Sequence, residues 1–307
     1  MSVNIIKRGL ATSSVKNAIK NITVIGGGLM GSGIAQVAAQ AGNSVTVLEV
    51  NADLLKKLES GIAKNLERVA KKIHKDNPDE VKNFVEQTRA RVKGTTDLKA
   101  AVTDSDLVVE AIVENMKVKH ELFKSLDKEA PQKTIFASNT SSLSITEIAS
   151  VTNRKDRFGG LHFFNPVPMM KLLEVVRTED TSEETFKAIW NWGVAIGKTC
   201  INCKDTPGFV VNRLLVPYLG EAMKMLERGD ASAKDIDIAM KLGAGYPMGP
   251  FELADYVGHD TTKHILDGWH EKYPENPSFK TPEILNKLVK EGKLGRKTGE
   301  GFYKYNQ

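Results

Sequence analysis

The chain has 307 residues, 41% of them hydrophobic and 26% charged, and a formal net charge of +5. That length is enough for two domains, and the composition is that of an ordinary globular protein rather than a disordered or fibrous one. No apolar run reaches the ~20 residues needed to span a membrane as a helix.

Charge is unevenly spread. Lys7, Arg8, Lys16 and Lys20 supply four of the five net positive charges, and the first acid in the chain is Glu49. The start is basic and intermittently apolar and is followed by Thr12, Ser13 and Ser14, the pattern of an organelle transit segment over residues 1–20. A basic N-terminus with no targeting role is the alternative. Without these cations the chain is almost neutral, so the basic balance is no argument for a nucleic-acid partner. The Lys/Arg residues also lack interleaved aromatics.

Asn21–Ile25 is a short β-branched run that enters Gly26-Gly27-Gly28-Leu29-Met30-Gly31. A helix of small residues follows, to the stop at Gly42, and then a second strand, Ser44–Glu49, that ends in an acid. A lone G-x-G-x-x-G is weak, but strand, glycine turn, helix and acid-tipped strand together form a dinucleotide fingerprint. Gly26 permits the tight turn, Gly28 lets backbone approach a pyrophosphate, and Gly31 lets helix and strand pack closely. The helix N-terminus faces the phosphates. Glu49 is placed to accept from the adenosine ribose and to repel a 2′-phosphate, which favours NAD over NADP; FAD shares the fingerprint.

About forty residues separate Glu49 from the next strand, near Ala90–Lys93, far more than a direct crossover needs. Ala52–Lys75 has helical spacing, Asn77-Pro78 breaks it, and Asp79–Thr88 starts again, so a helical hairpin is inserted here. Lys64, Arg68, Lys71, Lys72 and Lys75 give it a cationic face. That face is either solvated surface or a contact for a phosphorylated substrate.

Asp106–Asn115 reads as a buried strand with polar residues at its carboxyl end, where ligands gather in open parallel sheets. Val118–Ala130 is the next helix and Thr134–Ala137 the next strand. Ser138-Asn139-Thr140-Ser141-Ser142 follows, suited to helix capping or to ligand contact. Gly160–Val176 reads strand, Pro-rich turn, strand. An antiparallel return brings Glu174 beside His162, giving either an oriented general base or a core histidine with an acid nearby. Cys200 and Cys203 lie on an alternating, strand-like run and read as buried thiols, since no second ligand pair accompanies them for zinc.

Lys204-Asp205-Thr206-Pro207-Gly208 is a boundary, and the pattern beyond it is helical: 209–228 with Pro217 inside, a segment opened by Ser232, then 251–257, 261–273 and 282–291. The tail from Gly295 to Tyr305 is glycine-rich and ends aromatic. Arg213 and the histidines at 120, 259, 264 and 270 read as surface or satisfied polar residues.

Val24–Gly31, Val108–Asn115, Ala137–Leu143, Gly160–Glu174, Asp205–Arg213, Gly243–Gly258 and Gly295–Tyr305 together resemble the L-3-hydroxyacyl-CoA dehydrogenases of fatty-acid β-oxidation, in their stand-alone mitochondrial short-chain form. The resemblance runs from Lys20 to Tyr305. It implies an α/β fold: a Rossmann-type, doubly wound N-terminal domain with an inserted helical hairpin over 21–206, and an all-α domain for substrate and dimerisation over 207–307. It implies reversible oxidation of L-3-hydroxyacyl-CoA to 3-ketoacyl-CoA in the mitochondrial matrix, with NAD as cofactor, acyl-CoA as substrate, a homodimer, no metal and no membrane insertion.

Matched position by position, the family's base falls on His162 and its carboxylate partner on Glu174. The serine touching substrate and nicotinamide falls on Ser141, and the asparagine of the second domain on Asn212. Cofactor contacts fall on Gly26, Gly27, Gly28, Leu29, Met30, Gly31, Glu49, Glu114, Lys119, Ser141, Asn165 and Lys297. CoA contacts fall on Lys72 and Ser141. Where mammalian relatives have a CoA-contacting serine, this chain has Asn65, whose amide retains hydrogen-bonding capacity. Two rivals stand beside this reading. One is a dehydrogenase for a free hydroxy acid, disfavoured by the cationic hairpin. The other is a nucleotide-binding sensor, which has no need of a base.

Overall fold

A computed structural model describes residues 19–75 and 77–305, and the chain divides into two compact units after Asp205. All of the expected targeting segment except Ile19 and Lys20 lies outside the described residues. Those two residues belong to the first unit. Ile19 is buried, and the Lys20 amide donates to the Asp106 carboxylate at 3.0 Å.

The first unit is built on one eight-stranded sheet: β1 (Asn21–Ile25), β2 (Ser44–Leu48), β3 (Val92–Thr95), β4 (Leu107–Glu110), β5 (Ile135–Ser138), β6 (Phe158–Phe163), β7 (Leu172–Arg177) and β8 (Thr199–Lys204). Their spatial order is β3-β2-β1-β4-β5-β6-β7-β8. Every neighbouring pair is parallel except β6 and β7. The carboxyl ends of β1 to β6 therefore share one edge. The helices are α1 (Leu29–Gln40), α2 (Ala52–His74), α3 (Pro78–Arg89), α4 (Leu98–Val102), α5 (Met116–Glu129), α6 (Ile145–Ala149) and α7 (Glu183–Ala195). This is the doubly wound, Rossmann-type architecture with the inserted hairpin, α2–α3.

Local chemistry explains the elements. The Asn51 side chain caps α2 by accepting from the Leu54 amide. Leu58, Ile62, Leu66 and Ala70 then recur on one buried face, as an amphipathic helix requires. Asn77 caps α3, and Pro78 occupies its first turn, where no intrahelical N–H is needed. The core joins Val24, Val47, Val109, Leu161 and Val175 of the sheet to Ile34 of α1 and Trp192 of α7.

Strand bounds are corrected and one helix is added. β4 stops at Glu110 rather than Asn115, because the buried Glu110 carboxylate takes the Ile112 amide at 2.8 Å and turns the chain out of the sheet. The third strand lies at 92–95 rather than 90–93. The helix α7 is not anticipated by any reading above. Cys200 and Cys203 lie on β8, three residues apart and so on opposite faces of the strand. Both are free, and burial pushes their thiols up, to about 11 and about 12.

The second unit is helical: α8 (Val211–Arg228), α9 (Ala233–Gly243), α10 (Pro250–Val257), α11 (His259–Lys272) and α12 (Glu283–Lys290). α8 starts at Val211 rather than Phe209, whose positive φ of 52° is incompatible with a helix. Leu219, Met223, Phe251, Leu266 and Leu285 form its core. Among the described residues no helix is long and apolar enough to cross a membrane.

The C-terminal tail is anchored on a buried acid. Asp255, 1% exposed, accepts from the amides of Phe302 and Tyr303 at 2.9 and 3.0 Å and from the Tyr305 hydroxyl at 2.8 Å. His259 lies 2.7 Å from the same carboxylate. Burial pushes the Asp255 carboxyl up, but His259 and these donors outweigh it and hold it below the usual range. A carboxyl so lowered contributes stability above its unfolded pKa and loses it as pH falls through the folded value. Asp255→Asn is expected to cost about 1–3 kcal/mol at neutral pH. In melting curves against pH, the gap between the two proteins should narrow below about pH 4; a constant gap would refute the charge argument.

Candidate active site

The site is assembled at the shared carboxyl edge of the sheet. After β1 the chain turns at Gly26, with φ of +91°. A β-carbon at Gly31 would lie 1.8 Å from the Gly26 carbonyl oxygen, so turn and helix can touch only without one. Gly28 has nothing within 4 Å of its missing β-carbon and offers no side chain to cap α1. Leu29, beside it, is 71% exposed. At the end of β2 the Glu49 carboxylate accepts from the Gly27 amide at 2.6 Å and the Val50 amide at 3.1 Å. Open amides at a helix N-terminus, a bare approach at Gly28 and an acid tied to the turn fit a dinucleotide.

Beyond β4 lies a buried ionic network. Lys119, 1% exposed, reaches from α5 to Glu110 at 2.6 Å and to Glu114 at 3.2 Å. Glu110 also accepts from the Ser138 hydroxyl at 2.5 Å. Glu114 accepts from the Thr140 hydroxyl at 2.5 Å and from the Ser141 amide at 2.9 Å. Burial pushes the Glu114 carboxyl up, but the Lys119 charge and the bonds from Thr140 and Ser141 bring it below the ordinary value. Glu114 and Lys119 therefore meet in space. Ser141 sits on the loop that this pair holds.

The five polar residues at the end of β5 divide their tasks. Thr140 accepts from the Leu143 amide, and Asn139 accepts from the Phe163 amide at 2.9 Å, tying the loop to β6. The helix cap comes from outside the run: Ser144 caps α6, and Asp205 accepts from the Ser144 hydroxyl and the Ile145 and Thr146 amides.

β6 and β7 pair with His162 opposite Glu174. Leu161, Phe163, Leu173 and Val175 alternate with them and point into the core, so one face of the hairpin is packed and the other carries the pair. His162 is 3% exposed and Glu174 fully buried, with Nδ1 to carboxylate 2.6 Å. An ionised carboxylate only accepts. His162 Nδ1 is thus the donor in this bond, and the tautomer of a neutral ring so bonded carries its lone pair on Nε2. The Phe164 ring lies 4.5 Å from the imidazole. Asn165 is exposed on the turn between the strands.

The remaining candidates lie elsewhere. Asn65 and Lys72 are exposed on α2, and helical spacing places them on one face with Arg68 between them. Asn212 lies in the first turn of α8, and Lys297 pairs with Asp260 at 2.5 Å, both in the second unit. The sequence reading did not single out Glu110 or Asn139. A charged residue closing the apolar run Leu107-Val108-Val109 was the available signal for Glu110.

Two family models cover the chain: "3-hydroxyacyl-CoA dehydrogenase, NAD binding domain" over residues 21–206, and "3-hydroxyacyl-CoA dehydrogenase, C-terminal domain" over 208–305. The rat mitochondrial hydroxyacyl-coenzyme A dehydrogenase is 61% identical, over 94% of this chain and 92% of its own. The human mitochondrial protein of the same name is 60% identical, over 96% and 94%. Among solved structures, the (S)-3-hydroxybutyryl-CoA dehydrogenase of Ralstonia eutropha superposes with a TM-score of 0.89 at 38% identity, over 94% of this chain and 100% of that one.

Lys119→Met would leave the fully buried Glu110 carboxylate and the part-exposed Glu114 without their cation, and is expected to cost about 3–5 kcal/mol in urea denaturation. A loss under about 1 kcal/mol would show that the network is not held by charge.

Proposed function

The chain belongs to the 3-hydroxyacyl-CoA dehydrogenase family, an NAD-dependent group of oxidoreductases, and from that premise we propose how its own residues carry the reaction. The observation that supports the reading most directly is the 2.6 Å bond from His162 to the buried Glu174. It orients the ring so that Nε2 can act as the base. His162 takes the proton of the substrate's 3-hydroxyl, and Glu174 steadies the imidazolium that forms. Ser141 and Asn212 hold the oxygen on which charge changes. NAD, when bound, supplies the acceptor for the hydride from carbon 3. It would be held by the turn Gly26–Gly31, by Glu49 at the ribose, and by Glu114, Lys119, Asn165 and Lys297.

Lys72 and Asn65 on α2 receive the CoA moiety, with Ser141 at the thioester end. The substrate is thus an L-3-hydroxyacyl-CoA, oxidised reversibly to the 3-ketoacyl-CoA, rather than a free hydroxy acid. The helical unit is the dimer-forming part; Leu214, Leu242 and Tyr246, 70, 83 and 44% exposed, supply apolar surface for a second copy. The rat and human relatives carry mitochondrial names. We place this chain in the matrix, with a transit segment that ends before Ile19, because Ile19 packs in the core.

His162→Gln should bind NADH normally and lose turnover of acetoacetyl-CoA by roughly 10²–10⁴-fold. Near-normal turnover would remove His162 from the mechanism. Lys72→Ala should raise KM for acetoacetyl-CoA by about two- to fivefold, the loss expected of one solvent-exposed ion pair. KM for acetoacetyl-pantetheine, which lacks the nucleotide phosphates, should stay unchanged; equal effects on both would place Lys72 outside the CoA site.

A further inference from the structure

The turn between His162 and Glu174 is held from two sides by residues to which the reaction above gives no part. On one side it docks on α1. Val167 is 2% exposed, and a β-carbon added at Gly33 would lie 2.7 Å from the Val167 β-carbon and 3.6 Å from Pro168 Cδ. A side chain at 33 would therefore push helix and turn apart. Gly33 lies two residues beyond Gly31, so the contact is made by the first turns of the nucleotide helix itself.

On the other side, the Lys198 ammonium donates to the carbonyls of Val167 at 2.5 Å and Met170 at 2.7 Å. Lys198 is 8% exposed, and its ammonium lies 5.8 Å from the Phe163 ring. Burial lowers its pKa. A cation held away from water is costly unless its protons are used, and two of them are used on this turn. The turn is closed internally by the Met169 and Met170 amides on the Pro166 carbonyl. The turn is thus tied from within and from both sides although Asn165, Met169 and Met170 are exposed.

We infer that Gly33 and Lys198 are positioning residues: together they lock the 165–170 turn to the nucleotide helix and so set the spacing between the cofactor and His162. The inference rests on the reading that Asn165 meets the cofactor and His162 is the base. Gly33 acts by allowing close approach, and Lys198 by gripping the backbone on the far side of Val167. Neither touches the reacting atoms. Loosening either should change cofactor binding and turnover together, while acyl-CoA recognition on α2 stays as it was.

The test uses the full chain as Gly33→Ala, Val167→Gly, the double variant, Lys198→Met, Lys198→Arg and Asn165→Ala. Three readouts are taken: NADH affinity by fluorescence titration, hydrogen exchange of the 164–171 peptide without ligand, and kinetics with acetoacetyl-CoA. Gly33→Ala and Lys198→Met should weaken NADH by about tenfold and lower kcat by about ten- to a hundredfold, with KM for acetoacetyl-CoA within about twofold of wild type. Exchange in the turn peptide should quicken in Lys198→Met and stay at the wild-type level in Lys198→Arg, which keeps the donors. Adding Val167→Gly to Gly33→Ala removes the β-carbon that a side chain at 33 would meet at 2.7 Å, and should return NADH affinity to within about threefold of wild type. The inference is overturned if folded Gly33→Ala and Lys198→Met keep wild-type NADH affinity and turn exchange, or if the double variant binds no better than Gly33→Ala. Asn165→Ala separates the layers. Wild-type NADH binding there removes the reading underneath and the inference with it. Weakened binding there, with Lys198→Met unaffected, overturns the clamp alone.

Discussion

A carboxylate with no exposed surface has to be given its partner by the fold, and for Glu174 that partner is His162. Much else follows from this requirement. A short antiparallel connection is the simplest way to place two side chains directly opposite each other, and β6–β7 is the one antiparallel pairing in the sheet. The register is enforced from the other face, where Leu161, Phe163, Leu173 and Val175 enter the core. A slip by one residue would turn His162 and Glu174 into that core and the apolar residues out of it. Core packing therefore fixes the geometry of the candidate base with no help from a ligand.

The same requirement shapes the neighbouring strand end. Glu110 is as deeply buried as Glu174, and it obtains its counter-charge from Lys119 on the following helix. Lys119 also reaches Glu114, and Glu114 holds the backbone of Ser141. Four residues that look unrelated along the chain form one connected polar unit. Its value lies in rigidity: a satisfied buried network leaves the Ser141 loop few alternative arrangements. Asp205 extends that control to the far end of the loop by capping α6.

Local signals were legible in the sequence and long-range partners were not. The glycine turn, the acid at the end of β2, the inserted hairpin and the strand-turn-strand around His162 all show in residue type and spacing over a few positions. Glu174 beside His162 is legible because a hairpin folds back on itself. The pairing of Lys198 with the carbonyls of Val167 and Met170 is not, since it spans about thirty residues of chain and its acceptors are backbone atoms of no particular residue type. Asp255 was likewise invisible, because its partners arrive from a tail about fifty residues later. The sequence overruns the end of β4 because Ala111-Ile112-Val113 continues the apolar run of the strand, whereas the buried Glu110 turns the chain there.

The two cysteines give the fold a different kind of property. They stand on opposite faces of β8, and burial keeps both as thiols. Peroxides and electrophiles react with the thiolate, which each site holds at a very small fraction near neutral pH. Two sulfurs facing away from each other along one strand also cannot close a bond without dismantling it. A chain whose partner molecule exists to carry electrons thus keeps both of its own thiols in the protonated, slow-reacting form.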